Sequence, residues 1–221
     1  VNRLLTFFAL TAFLRADTLE EILKRMDASA KKFQSVSATI KQITYNELLK
    51  DTSEGMGEMR LKKTNKGLVG IVDFAPPDKR TYHFNGGTVE IYYPKTNIEE
   101  IYDVSKYKGT MERALTLGFG TSGAELQKDY TIKMIGPDKV HGVAASHLEL
   151  SPKSAEMQKL VTKVELWIQD GESYPVQEKG IQPSKDYTMF VYSDVKINPP
   201  LAPSSFEMKV PAGVKRVQPQ K

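Results

Sequence analysis

The sequence predicts a mainly β fold with some helix: a single curved antiparallel sheet of about eleven strands, one leading helix and a short helical insertion. Three observations predict it. Runs rich in β-branched and aromatic residues, separated by turn signals, recur along most of the chain. One segment near the start has helical periodicity, and one in the middle interrupts the β pattern. No linker or repeat divides the 221 residues, so they form one domain with a real core.

Val1–Ala16 reads as a secretory signal, which leaves 17–221 as the single domain. Arg3 gives a basic start, Leu4–Leu14 is mostly apolar, and Ala16 ends the segment with a small residue. A run of that length fits a signal core and is too short to span a bilayer. Leu14 and Arg15 are not the small residues of a regular cleavage site, so an uncleaved anchor is the alternative. Removal of the segment leaves 29 basic and 27 acidic residues, a formal charge of +2. The lysines are spread among acids with no basic stripe, which argues against a nucleic-acid site. Cysteine is absent, so there is no disulfide framework, Cys-bound metal or lipidated cysteine.

The helix spans 18–33. Thr18 and Glu21 form a capping box, and Leu19, Ile22, Leu23, Met26, Ala30 and Phe33 make one apolar stripe. Strands follow at about 35–45, 54–63, 68–74, 80–84, 88–93 and 98–104, with a polar, mobile link over 47–53. Pro76-Pro77 end one strand, and Asn85-Gly86-Gly87 turns a hairpin. Residues 108–129 break the pattern with one short helix and a second helical turn. Strands resume at about 130–135, 143–150, 160–169, 174–179 and 187–197, with Asp170-Gly171 a hairpin turn. Consecutive strands of such a meander pair antiparallel.

Alternation sorts the strands into an apolar and a wet face. Met59 and Leu61 share a face with Lys63; Val164, Leu166 and Ile168 share one; Met189, Val191 and Val195 share one. Trp167 falls on the wet face. The apolar-face candidates for a binding surface are Val72, Phe74, Tyr82, Val89, Ile91, Val164, Leu166, Met189 and Val191. Met111, Leu115, Leu117 and Phe119 are the apolar residues of the insertion. A sheet this wide curls. Either its concave face is filled as an ordinary core or it is left as a cavity, and alternation alone supports both.

A family resemblance favours the cavity. Phe74–Pro94 (FAPPDKRTYHFNGGTVEIYYP), following Met59–Lys63, resembles the strand–hairpin–Tyr-x-Pro region of the LolA-like periplasmic outer-membrane lipoprotein carriers. Phe33–Ala38 with Gln42, and Ser205–Val214 near the end, are similar to family segments in the same order, over residues 18–217. The resemblance implies a half-open β-barrel with a helical lid over an acyl-chain pocket. It places Lys63 where these carriers have an arginine that hydrogen-bonds the lid; lysine lacks the planar fork. It also implies a periplasmic monomer, loaded by an inner-membrane ABC-type complex and unloaded at an outer-membrane acceptor, with acylated lipoproteins or lipids as cargo.

Motifs for chemistry lack their context. Gly118-x-Gly120-x-x-Gly123 lies in no βαβ unit and reads as a flexible lid loop. Ser29-x-x-Lys32 and Ser105-x-x-Lys108 lack partner motifs. His83, His141 and His147 show no metal spacing, and Glu99 and Glu100 are adjacent, so a strand points them apart. The expectation is a carrier that is not an enzyme, with no cofactor or metal. A lipid- or lipoprotein-sensing regulator on the same fold is the alternative, and a secreted hydrolase is the third reading.

Overall fold

The computed structural model describes residues 17–219; the expected signal segment lies outside the described residues. Helix α1 (Leu19–Ala30) opens with the Thr18–Glu21 capping box, in which each side chain bonds the other's main-chain N–H. The strands are β1 (Ser35–Asn46), β2 (Asp51–Thr64), β3 (Gly67–Phe74), β4 (Arg80–Asn85), β5 (Thr88–Tyr93), β6 (Ile98–Asp103), β7 (Tyr130–Val140), β8 (Val143–Pro152), β9 (Lys163–Gln169), β10 (Pro175–Ile181), β11 (Tyr187–Ile197) and β12 (Lys215–Val217). Helices α2 (Lys108–Leu115) and α3 (Gly123–Asp129) lie between β6 and β7, and α4 (Ala155–Gln158) between β8 and β9.

All twelve strands form one open sheet, ordered β12-β6-β5-β4-β3-β2-β1-β11-β10-β9-β8-β7. The two antiparallel meanders, β1–β6 and β7–β11, join where β1 pairs with β11. The expected sheet gains one strand. The polar tail supplies β12, which pairs parallel with β6 and makes the sheet mixed. Arg216 donates from Nε to Glu99 at 2.7 Å and fixes this edge. The link over 47–53 is also shorter than expected. β2 begins at Asp51, and the remaining turn is tied by Asp186 to the Glu47 N–H and by Asn46 to the Leu49 N–H.

This order dictates the path of the insertion. β7 ends the sheet and β6 lies one strand in from the other edge, and residues 104–129 span the distance between them packed on the concave face. Two apolar clusters meet beneath them. Under α1, Ile22, Leu23 and Met26 pack with Leu126, Leu148, Leu150, Val164, Leu166 and Ile168. Beside them, Phe33 and Phe119 cover Val36, Ala38, Ile40, Met59, Leu61, Leu68, Phe74 and Phe84.

The crossing is pinned rather than loose, contrary to the flexible-loop expectation. A Cβ on Gly120 would stand 2.5 Å from the Phe33 ring, and one on Gly123 2.6 Å from the Leu23 carbonyl oxygen. Only glycine permits such close approach. The Ala124 N–H adds a bond to Asp27 of α1 at 3.1 Å.

The convex face carries Trp167 and ion pairs such as Arg60–Asp73 and Lys163–Glu149, as alternation predicts. Trp167 stacks on His147 with ring centres 4.2 Å apart and donates to Asp138 at 2.8 Å. After β11 the chain crosses this face, where Lys62 bonds the Leu201 carbonyl and Ile71, Tyr92 and Phe206 are buried.

Candidate functional site

Directly paired residues share a face, so the register identifies the concave surface. Across β1 to β6 one row runs Ala38, Met59, Val72, Tyr82, Ile91 and Glu100; the next runs Val36, Leu61, Gly70, Phe84, Val89 and Tyr102. Val72, Phe74, Tyr82, Val89 and Ile91 therefore share this face. Phe74 is buried; Val72, Tyr82, Val89 and Ile91 are half-buried and form the open part of the groove. Val164 and Leu166 are also concave, but α1 covers them and Leu166 is fully buried, so they belong to closed core.

Met189 and Val191 are corrections. They pair with Ile43 and Lys41 and point to the convex face, where Val191 packs with Trp167, Val140 and Val176. The cause is a bulge. Between the Ser37–Lys196 and Thr39–Ser193 pairs, β11 holds one extra residue, with Asp194 at φ 51°. An extra residue inverts alternation on its far side. Phe190 and Tyr192 take the concave positions instead, opposite Gln42 and Ile40. The clue in the sequence is Ser193-Asp194 inside an apolar alternation.

The lid residues point inward. Met111 and Leu115 of α2 are half-buried against the cluster that contains Phe119, and Leu117 is buried in the one under α1. Phe119 meets Tyr192 edge to face at 4.9 Å. Lys63 does not lock this lid: its ammonium lies over the Phe33 ring, 5.3 Å from the centre, and among the described residues it bonds no lid carbonyl. The latch has the opposite polarity. Glu112 of α2 accepts the Leu68 N–H at 3.0 Å, and Lys108 donates to the Lys66 carbonyl at 2.9 Å. Gly67, at φ +119°, gives Glu112 its space. Lid side chains thus grip sheet main chain, a pairing that no spacing rule exposes.

Two acids also face the groove. Glu100 accepts from the Tyr102 hydroxyl at 2.9 Å and the Tyr93 hydroxyl at 3.4 Å. Burial, then the nearby Tyr82 and Glu100, push the Tyr93 phenol up to about 12. Glu178 lies opposite Phe190 and Leu166 and accepts from Tyr192 at 3.3 Å. The residue is half-buried on the concave face. Burial pushes it up to about 8 against the opposing Tyr192 bond, so it is mainly protonated at neutral pH.

With this geometry in hand, comparison with known proteins places the fold. A family described as "Predicted periplasmic protein (DUF2092)" matches residues 120–219, under half of the chain. An uncharacterized conserved protein from Thermus thermophilus superposes with a TM-score of 0.56 at 13% identity, covering 91% of this chain and 99% of that one. MucB of Pseudomonas aeruginosa superposes with a TM-score of 0.53 at 12% identity over 86% of this chain; the match spans 62% of MucB. The chain thus shares the fold of MucB and of the Thermus protein. The lipoprotein LppX of Mycobacterium tuberculosis is also matched, at 13% identity and a TM-score of 0.49 over 83% of this chain and 98% of that one. No curated protein matches the sequence.

The latch and Glu178 each yield a prediction. Glu112→Ala speeds hydrogen exchange at the Leu68 amide by about tenfold, the loss of one bond to a charged acceptor, whereas Lys63→Ala does not. Native-state exchange read by NMR checks both. For Glu178, a raised acid pKa adds stability that is fully present below the ordinary value of 4.5 and lost as pH rises through about 8. Glu178→Gln therefore removes a decline in urea-midpoint stability between those pH values and is the more stable protein at pH 9.

Proposed function

We propose that this protein is a periplasmic carrier that takes acyl chains of lipoproteins or lipids onto its concave face and moves them from the inner to the outer membrane. The observation that carries the reading is the half-buried apolar group of Val72, Tyr82, Val89 and Ile91 beside a lid held at the β2–β3 hairpin by two polar bonds. Soluble domains rarely leave such a concave apolar surface uncovered. An acyl chain entering it gains about 0.8 kcal/mol per methylene buried.

In the closed structure Phe119 and Phe33 occupy the middle of the groove, so a chain must displace the lid before it binds. Loading by an ABC-type complex and unloading at an outer-membrane acceptor fit a protein in which opening costs free energy. No catalytic step belongs to this reading. The periplasmic setting is supported by the description of the family matched over 120–219.

A regulator is the second reading, favoured by the superposition on MucB, a protein whose structure is known in complex with the periplasmic part of MucA. A stable complex with the periplasmic segment of a membrane protein, without transfer of lipid, distinguishes it from a carrier.

The direct test is the affinity of a triacylated lipopeptide for delipidated protein. Val89→Asp and Ile91→Asp place a charge in the groove and weaken binding by at least about tenfold. Met56→Asp, at an exposed convex position, leaves it unchanged. Equal losses in all three, or no binding by the parent protein, contradict the carrier reading.

A further inference from the structure

One charge at the mouth of the groove has no partner of its own kind. Arg25, Arg60, Arg113 and Arg216 each pair with a carboxylate. Among the described residues Arg80 pairs with none. It opens β4 on the concave face, opposite Phe74, and its guanidinium lies over the Phe74 ring at 4.2 Å. It donates to the Tyr82 hydroxyl at 3.2 Å, the Asp78 carbonyl at 3.1 Å and the Gln42 side-chain oxygen at 2.8 Å.

These bonds orient the group without neutralising it. A guanidinium has five N–H donors, and three are used here, which leaves two for a ligand. Tyr82, having accepted from Nε, keeps its own proton to donate, and Gln42 keeps its amide donors. The surrounding cavity of about 480 Å³ is lined also by Lys79, Lys95, Thr44, Thr96 and Tyr93. Neither lysine pairs with a carboxylate among the described residues. Asp78 is the one acid in the lining, and it reaches Arg80 through its carbonyl. Of the two acids further along the groove, Glu100 is held by Tyr93 and Tyr102, and Glu178 by Tyr192.

We propose that this mouth is an oxyanion site for the headgroup of the bound amphiphile, with Arg80 as its fixed donor and Lys79 and Lys95 as its mobile cations. The inference rests on the carrier reading for the acyl chain and adds the class of headgroup. A headgroup fits better than a free anion because the site runs directly into the apolar row: Tyr82 belongs to both, and Val72 and Ile91 flank it. A phosphate or carboxylate seated there would leave its chain pointing under the lid. Arginine suits this role because its planar fork meets two oxygens at once.

The test compares three probes by calorimetry on the delipidated full chain: 1-palmitoyl lysophosphatidic acid, uncharged 1-palmitoylglycerol and inorganic phosphate. The anionic lipid is expected to bind about tenfold or more tighter than the uncharged one, a preference that shrinks as salt is raised. In Arg80→Met, which keeps a stem over Phe74, the ratio of the two affinities falls to about one. Lys79→Gln with Lys95→Gln, both at exposed positions, lowers the ratio in part and guards against a folding defect at Arg80. Equal binding of both lipids by the parent protein overturns the oxyanion site and leaves the carrier intact. An unchanged ratio in Arg80→Met also overturns it. Binding of inorganic phosphate as tight as that of the lipid overturns the headgroup assignment in favour of a free anion. Failure of both lipids to bind ends the carrier reading and this inference with it.

Discussion

The strand order imposes one constraint on which the rest depends: β7 ends an open sheet, β6 lies one strand in from its other edge, and the chain must travel between them. The short way is across the concave face. The lid is therefore that crossing rather than an ornament on a finished barrel. Its apolar residues fall where the curved sheet needs cover, Leu117 over the half beneath α1 and Phe119 over the half beneath Phe33. Gly120 and Gly123 let the crossing settle directly onto Phe33 and α1.

The same constraint divides the concave face by burial. Where α1 and the lid both reach, under Leu148, Leu150, Val164 and Leu166, the sheet is ordinary core. Where the cover is thinner, over β3 to β5, apolar side chains stay partly open and polar ones gather at the rim. The lid adheres to the first part by close packing and to the second through Glu112 and Lys108 on the β2–β3 hairpin. Two polar bonds at the hairpin are easier to exchange with water than a packed core.

Much of this is legible in the sequence. The capping box and apolar stripe mark α1, alternation places Val72 to Ile91 on one face and Trp167 on the other, and the break at 108–129 locates the lid. The failures have physical causes. Alternation carried across the Ser193–Asp194 bulge puts Met189 and Val191 on the wrong face and hides Phe190 and Tyr192. The edge strand β12 depends on a long-range parallel pairing with β6, which a short polar segment does not announce. The partners of Arg80, Glu112 and Glu178 come from distant strands or from main chain, so no local pattern marks these residues. The family resemblance singles out Lys63, yet it lies on an aromatic ring while the latch sits on the opposing element.

The central claim is that the groove exists to hold lipid. Native mass spectrometry of the protein purified from its own envelope without detergent tests it most directly. The account predicts a bound species that dissociates as an acylated protein or a phospholipid. Protein that emerges empty, and gains no mass after incubation with the total lipid extract of that envelope, contradicts it and makes the concave face a surface filled by the chain's own lid.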